Sequence, residues 1–365
     1  MDFIYLKKRL FKVLKFLNYN KKRAYLFFIL LAFFGANGFA SKEDRDPDSY
    51  NAKGGTGSGF GRYQSVSSFG GVPNSYFFWQ ARAGENVLEG GMDYSSRTIE
   101  FSSTLGSTKN SLSGIENIKF GFERGLTEMF SVGVNWAYAN MTAERVQGSS
   151  ITNLTTNSSL SGMRDLVIYG KGQGVLQSQM SYHYGSQFSM SIGNRTKDET
   201  GSEWQNDAKS GGYTLRILGG IQFQLPQMIV GGQGAFDVFA SDKTIESKSS
   251  FSTTTSSYSG GKELIFSGFG EYAGFKMSSL PLSVLGVVCE YHNIDPITTN
   301  GGTESEGLRN FVRFKTYPVF QLNSKILLMG DFYYDYYTDA STSSSNLTLS
   351  SGSEWSFGAL IKYKL

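Results

Sequence analysis

Along most of the chain apolar and polar residues alternate one by one. Ile118, Phe120 and Phe122 interleave with Asn117, Lys119 and Glu123, and Val132, Val134, Trp136 and Tyr138 with Ser131, Gly133 and Asn135. A β-strand turns successive side chains to opposite faces, so each such segment predicts one greasy face and one wet face. The rhythm recurs at Tyr213, Leu215, Ile217, Ile221 and Phe223 against Thr214, Arg216, Gln222 and Gln224, and at Phe236 and Val238 against Gln233 and Asp237. It returns at Val312, Phe314 and Phe320 against Arg313 and Lys315, and at Ile326, Leu328, Phe332, Tyr334 and Tyr336 against Asp331, Tyr333 and Asp335. The final segment, EWSFGALIKYKL, keeps it to the last residue.

These segments predict about 12 strands of roughly ten residues, near 87–100, 115–125, 129–142, 164–174, 186–195, 212–224, 228–240, 262–275, 282–293, 308–322, 326–338 and 354–365. Their connectors alternate in length. Gly125-Leu126-Thr127-Glu128, a turn around Tyr184-Gly185, Leu225-Pro226-Gln227, Ser278-Ser279-Leu280-Pro281 and Asn323-Ser324-Lys325 are short. VQGSSITNLTTNSSLSG, RTKDETGSEWQNDAKSG, KTIESKSSFSTTTSSYSG and TDASTSSSNLTLSSGS are long and polar. Short turns at one end and long loops at the other predict an all-β fold, a transmembrane antiparallel up-and-down β-barrel. A soluble sandwich packs strands of five or six residues on a core, whereas a bilayer demands longer strands and tolerates no open sheet edge. An even strand count puts both termini at the short-turn end, the periplasmic one.

The amino-terminal region supplies the expected compartment. Basic residues fill 1–23, the apolar run LFFILLAFFGA follows from Leu26, and Gly38-Phe39-Ala40 carries small residues where a signal peptidase reads. We therefore expect a cleaved signal over 1–40, a Gly/Ser-rich periplasmic segment over 41–84 and the barrel over 85–365. The apolar run is shorter than the roughly 20 residues of a spanning helix. Outer-membrane localisation follows, with long loops extracellular. Aromatics at 15% exclude a disordered chain. A formal charge of +3, much of it in the leader, gives no sign of a nucleic-acid partner. Cys289 is the only cysteine, so no intrachain disulfide is possible.

Parity along the strands assigns a set of side chains to the lumen: Lys119, Glu123, Asn135, Lys171, Arg216, Asp237, Glu271, Glu290, His292, Arg313, Lys315, Asp331 and Asp335, with Lys362 and Lys364. The two signs nearly balance. A strongly ion-selective pore would show a ring of one sign, so pairing across strands in a partly filled lumen is expected. With Asn323-Ser324-Lys325 as the turn, Phe314 faces Tyr334, Arg313 faces Asp335 and Gly330 faces Pro318.

Other motifs carry less. GGTGSGFG at 54–61 has the glycines of a phosphate loop without its flanking strand, helix or Lys-Ser/Thr pair. SYFFWQAR at 75–82 is expected as an aromatic belt or short lead-in ahead of the first strand, with a plug as the alternative. Outer-membrane lipases resemble one another in a His-x-Ser arrangement, but His183 and His292 are followed two positions on by Gly185 and Ile294. No catalytic role is expected. Two distant histidines and one cysteine make no chelating set for a metal, and no cofactor is expected.

FGFERGLTEMFSVGVNWAY at 120–138 and GMRDLVIYGKGQ at 162–173 resemble the outer-membrane transporters named after the meta-pathway of phenol degradation. There a strand ends in a Gly-Leu-Thr turn and the next begins with alternating Val and Gly. The resemblance covers about 85–195. It implies a barrel of about 12 strands admitting small, often hydrophobic solutes; the alternative function is a structural or surface-interaction barrel without transport. Gly125 is expected to provide the backbone freedom of the turn. The last strand resembles the signal read by the barrel-assembly machinery, with Leu365 where that signal usually has Phe. Expected partners are therefore outer-membrane lipids, that machinery and an unidentified small solute.

Overall fold

A computed structural model of the chain describes residues 75–103, 106–149, 152–177, 179–200, 203–239, 243–273, 282–295, 297–300, 303–304, 307–341 and 348–365. The expected signal, the glycine tract at 54–61 and the turn at 278–281 lie outside them.

The alternating segments form strands, in chain order β1 Asn86–Ser103, β2 Gly106–Thr127, β3 Phe130–Ser149, β4 Asn153–Met163, β5 Leu166–Gln177, β6 Met180–Met190, β7 Arg195–Thr200, β8 Glu203–Asp207, β9 Tyr213–Leu225 and β10 Met228–Phe239. There follow β11 Lys243–Lys248, β12 Thr253–Gly260, β13 Lys262–Tyr272, β14 Leu282–Ile294, β15 Ile297–Thr299, β16 Thr303–Glu304, β17 Gly307–Gln321, β18 Ile326–Ser341 and β19 Thr348–Lys364. At the short-turn end the antiparallel ladder runs through β1, β2, β3, β5, β6, β9, β10, β13, β14, β17, β18 and β19 and returns to β1. This is a closed 12-strand antiparallel barrel. Closure rests on the last strand, where Lys364 pairs with Val87 and the Leu365 amide donates to the Asn86 carbonyl at 2.9 Å. Both termini of the wall thus sit at the short-turn end.

The outward face is the greasy one. Phe120, Trp136, Ile217, Phe266, Phe332 and Phe357 are all exposed. The inward face holds two apolar clusters as well as charge. Ile229, Phe269, Val284, Val288, Tyr317, Val319 and Leu327 pack with Tyr76, Phe77 and Trp79 near the short turns, and Ile99, Phe311 and Tyr337 pack together higher up. The expected register of the β17–β18 hairpin is present: Arg313 faces Asp335 and Phe314 faces Tyr334. The same register holds on both sides of Pro318, from Thr316 opposite Phe332 to Val319 opposite Met329. Gly330 makes room for the proline; a Cβ there would meet its Cγ at 2.8 Å.

Three expectations are corrected. The turn placed at Tyr184-Gly185 is continuous strand, with Tyr184 opposite Gly172 and Gly185 opposite Lys171, and the chain reverses between Gln177 and Met180. Gly172 there leaves space for the Tyr184 ring. Second, much of the polar sequence assigned to long loops is ladder. β3 and β4 pair from Tyr138–Met163 up to Gly148–Asn153, and β11 pairs with β12 over Lys243–Lys248. Above the apolar band both faces meet water, so the alternation vanishes while the backbone bonds continue.

Third, one of those segments is a hairpin turned over. Below, the wall order is β5, β6, β9, β10. Above, β4 pairs with β8 and β7 with β11, both in parallel. Since β6 leads into β7 and β8 into β9, the two limbs cross. The crossing is held by the Ser191 amide on the Gly212 carbonyl at 3.0 Å, the Gly211 amide on Ser191 Oγ at 2.9 Å and the Thr244 amide on the Gly211 carbonyl at 3.0 Å. Gly211 has φ +82°, and a Cβ on it would lie 2.3 Å from the Thr244 carbonyl oxygen.

Candidate functional site

The segment at 75–85 is not a belt. It lies inside the short-turn end of the lumen, and the wall residues that hold it come from strands all around the barrel. Glu123 on β2 is fully buried and takes four donors: the Ala81 amide at 2.8 Å, Ser131 Oγ at 2.7 Å, the Tyr169 hydroxyl at 3.1 Å and Lys171 Nζ at 2.9 Å. On β13, Glu271 accepts from the Phe77 amide at 2.6 Å and the Tyr317 hydroxyl at 2.8 Å. Phe77 stacks on Phe269 and Phe78 on His183, with ring centroids 4.2 and 4.4 Å apart. Lys362 Nζ sits 4.5 Å from the Trp79 ring centre and also pairs with Glu89. A backbone segment inside a barrel with no ladder of its own must bond its amides to something; here buried carboxylates take two of them.

Gly125 takes part in this docking rather than in the turn, which falls at Glu128-Met129. The Gly84 amide donates to the Gly125 carbonyl at 2.9 Å and the Gly125 amide to the Glu85 carbonyl at 3.0 Å. A Cβ at 125 would overlap the Arg82 carbonyl. Only glycine permits that approach.

Most of the remaining parity-assigned charges meet in pairs, and Lys364 reaches Glu85 of the inserted segment at 3.0 Å. Arg216 grips Asp237 through two bonds at 2.7 and 2.6 Å, and Arg313 grips Asp335 at 2.7 and 2.8 Å. These are fork-to-fork contacts, the strong form of charged hydrogen bond. Lys315 reaches Asp331 at 3.0 Å, and His292 lies between Glu263 at 2.6 Å and Glu290 at 3.3 Å. Lys119 pairs with Asp93. The histidines are engaged away from serine: His183 Nε2 is 3.1 Å from Gln233 Oε1. Among the described residues no cluster of His, Cys, Asp or Glu is arranged to hold a metal ion.

Parity missed Asp93, Glu116, Arg164 and Glu354. The β1–β2 register shifts after Asp93, and β2 bulges between Ile115 and Ile118. A bulge puts two neighbours on one side of the pleat, so Glu116 and Asn117 both point inward. Asn117 donates to Asp93 at 2.8 Å and accepts from Arg164 at 3.0 Å; the Tyr333 hydroxyl lies 3.1 Å from Glu116 and 2.9 Å from Glu354. Two consecutive polar residues, Glu116-Asn117, inside an otherwise alternating strand are the sequence signal of that bulge. Above this network a cavity of about 530 Å³ opens between the β1–β3 wall and the crossed hairpin, lined by Lys119, Asn135, Arg164, Asp165, Arg195 and Lys209 among others.

The sequence matches no family model and no curated protein. By fold it is similar to an outer membrane channel from Pseudomonas putida F1, with a TM-score of 0.51 at 10% identity over 80% of this chain and 99% of that one. The transport unit of the autotransporter AIDA-I from Escherichia coli gives a TM-score of 0.50 at 11% identity, over 80% and 94%. At such identities the shared property is the outer-membrane type of barrel.

Proposed function

We propose that the chain is an outer-membrane channel for passive uptake of small solutes, with the long hairpins outside the cell and both termini in the periplasm. The observation that supports it is the cavity, lined by charged and apolar residues together, inside a closed wall whose outer face is aromatic and aliphatic. A barrel serving only as a surface platform has no need of a chamber of this size in its interior. The inserted segment at 75–85 makes the periplasmic end the narrow one, so conductance is expected to be small. The resemblance of 120–138 and 162–173 to the phenol meta-pathway transporters supports kinship with them, and hydrophobic solutes fall within that kinship. In this reading no step is catalysed.

Purified protein in planar bilayers tests the function. Discrete conductance steps and solute flux into proteoliposomes are expected; their joint absence would leave the surface-interaction reading. We also assign β19 as the segment that the assembly machinery recognises. Deleting Tyr363 to Leu365 removes ladder partners of Leu88 and Val87, and folded, heat-modifiable protein in outer membranes is expected to fall. Undiminished amounts would reject the assignment.

A further inference from the structure

The cavity under the crossed hairpin is lined by four cations, Lys119, Arg164, Arg195 and Lys209, and by two carboxylates, Glu89 and Asp165. Glu89 pairs with Lys362, and Asp165 is turned to the Ser210 amide, which it accepts at 2.8 Å. The cations are held more loosely. Arg164 is 3.6 Å from Glu116, and Lys209 is 3.7 Å from Asp207. Arg195, at the start of β7, makes no ion pair among the described residues, and its Nε has no hydrogen-bond partner. Burial is the largest influence on that guanidinium and pulls its pKa down from the ordinary value, an effect that the Asp207 carboxylate nearby offsets only in part. Such a charge is costly unless something pairs with it.

The rest of the lining is apolar or neutral. Ala137, Leu160, Val167, Ala208 and Leu360 share it with Asn135, whose buried Oδ1 also lacks a partner. A volume of about 530 Å³ falls in the range of pockets that enclose small organic ligands. A ligand suited to these walls has a compact apolar body and a carboxylate able to lie against a guanidinium in the fork geometry.

We propose that this chamber is a binding site for small organic carboxylates, with Arg195 and Lys209 on the crossed hairpin as the groups that recognise the anion. The proposal rests on the channel reading only for its biological use; the site itself is defined by the cavity. On that reading the crossed hairpin is a selectivity element placed ahead of the narrow periplasmic end.

Equilibrium dialysis of the detergent-solubilised full chain against labelled benzoate tests it, with benzamide as the neutral probe of the same shape. Saturable retention of benzoate, lost on raising salt, is expected, with benzamide retained at least about tenfold less. The Arg195→Gln, Lys209→Gln double variant is expected to weaken benzoate retention by at least about tenfold while keeping its heat-modifiable form. Should that form be lost, Lys209→Gln alone, on the loop after β8, is expected to weaken retention severalfold. No saturable benzoate retention, equal retention of benzamide, or variants indistinguishable from wild type would overturn the proposal. Dialysis does not require conduction, so retention without conductance would remove the channel and keep the site. Conductance without retention would do the reverse.

Discussion

The lower and upper parts of this barrel are made from the same strands and solve opposite problems. Below, the outward face is greasy and the interior is filled: Glu123 has four donors, and the inserted aromatics stack on wall residues. Above, the outward face is wet and the hairpin Arg195–Asp207 is turned over, and beneath it the interior keeps a chamber that reaches down to Lys119 and Asn135. Backbone bonding is common to both. The difference lies in what replaces water around the side chains, and it separates a filled region from one that keeps an open chamber.

The sharpest way to break this contrast is to remove a buried carboxylate below. Glu123→Gln leaves Lys171 buried without its counter-charge and is expected to destabilise the barrel by about 3–5 kcal/mol in urea titrations in lipid vesicles. A loss under about 1 kcal/mol would mean that the lower lumen is as wet as the upper. Next comes the outer face. Val134→Arg is expected to cost about 2–4 kcal/mol if it lies near the bilayer midplane, while Thr142→Arg, farther along the same face of β3, changes stability little. Equal costs at the two positions would abolish the boundary drawn between them.

The upper region depends on a close backbone approach at the crossing. Gly211→Ala is expected to cost about 1–3 kcal/mol locally, read as faster protease cleavage within 195–207 on intact cells with the barrel's heat-modifiable form unchanged. Cleavage at the wild-type rate would show that the crossing tolerates a side chain. The smallest effect belongs to the upper counterpart of the Lys171–Glu123 pair. Lys197 and Glu199 are about one-third exposed and 3.8 Å apart, so Lys197→Gln is expected to change stability by less than about 1 kcal/mol. A loss comparable to that of Glu123→Gln would erase the distinction.

The same boundary decides what could be read from the chain beforehand. Wherever lipid or its equivalent demands an apolar face, alternation identifies the strand and its parity: Arg313 opposite Asp335 follows from counting by two, and Arg216 and Asp237 fall on the inward face, although counting along each strand does not pair them. Counting fails at Glu116-Asn117, where the bulge turns both inward. It fails again above the band, where Ser and Thr occupy both faces and ladder reads as loop. The segment 75–85 hides for another reason. Its partners, Glu123 and Glu271, are 42 and 194 positions from the residues they bind, and nothing local in SYFFWQAR tells an inward aromatic from one at a membrane surface.

The crossed hairpin also constrains the order in which the molecule is made. Most neighbours in the wall are consecutive strands and can zip together as the chain is fed into the membrane. β7 and β8 cannot complete their pairing that way, because β7 needs β11 and the Thr244 to Asn194 bond spans 50 positions. Until the strand carrying β11 has risen, the hairpin is tethered only to β4. Loop closure over that distance is entropically costly and slow compared with a local turn, so the overturned hairpin belongs to the late events of assembly, a clasp fastened across strands that are already in place.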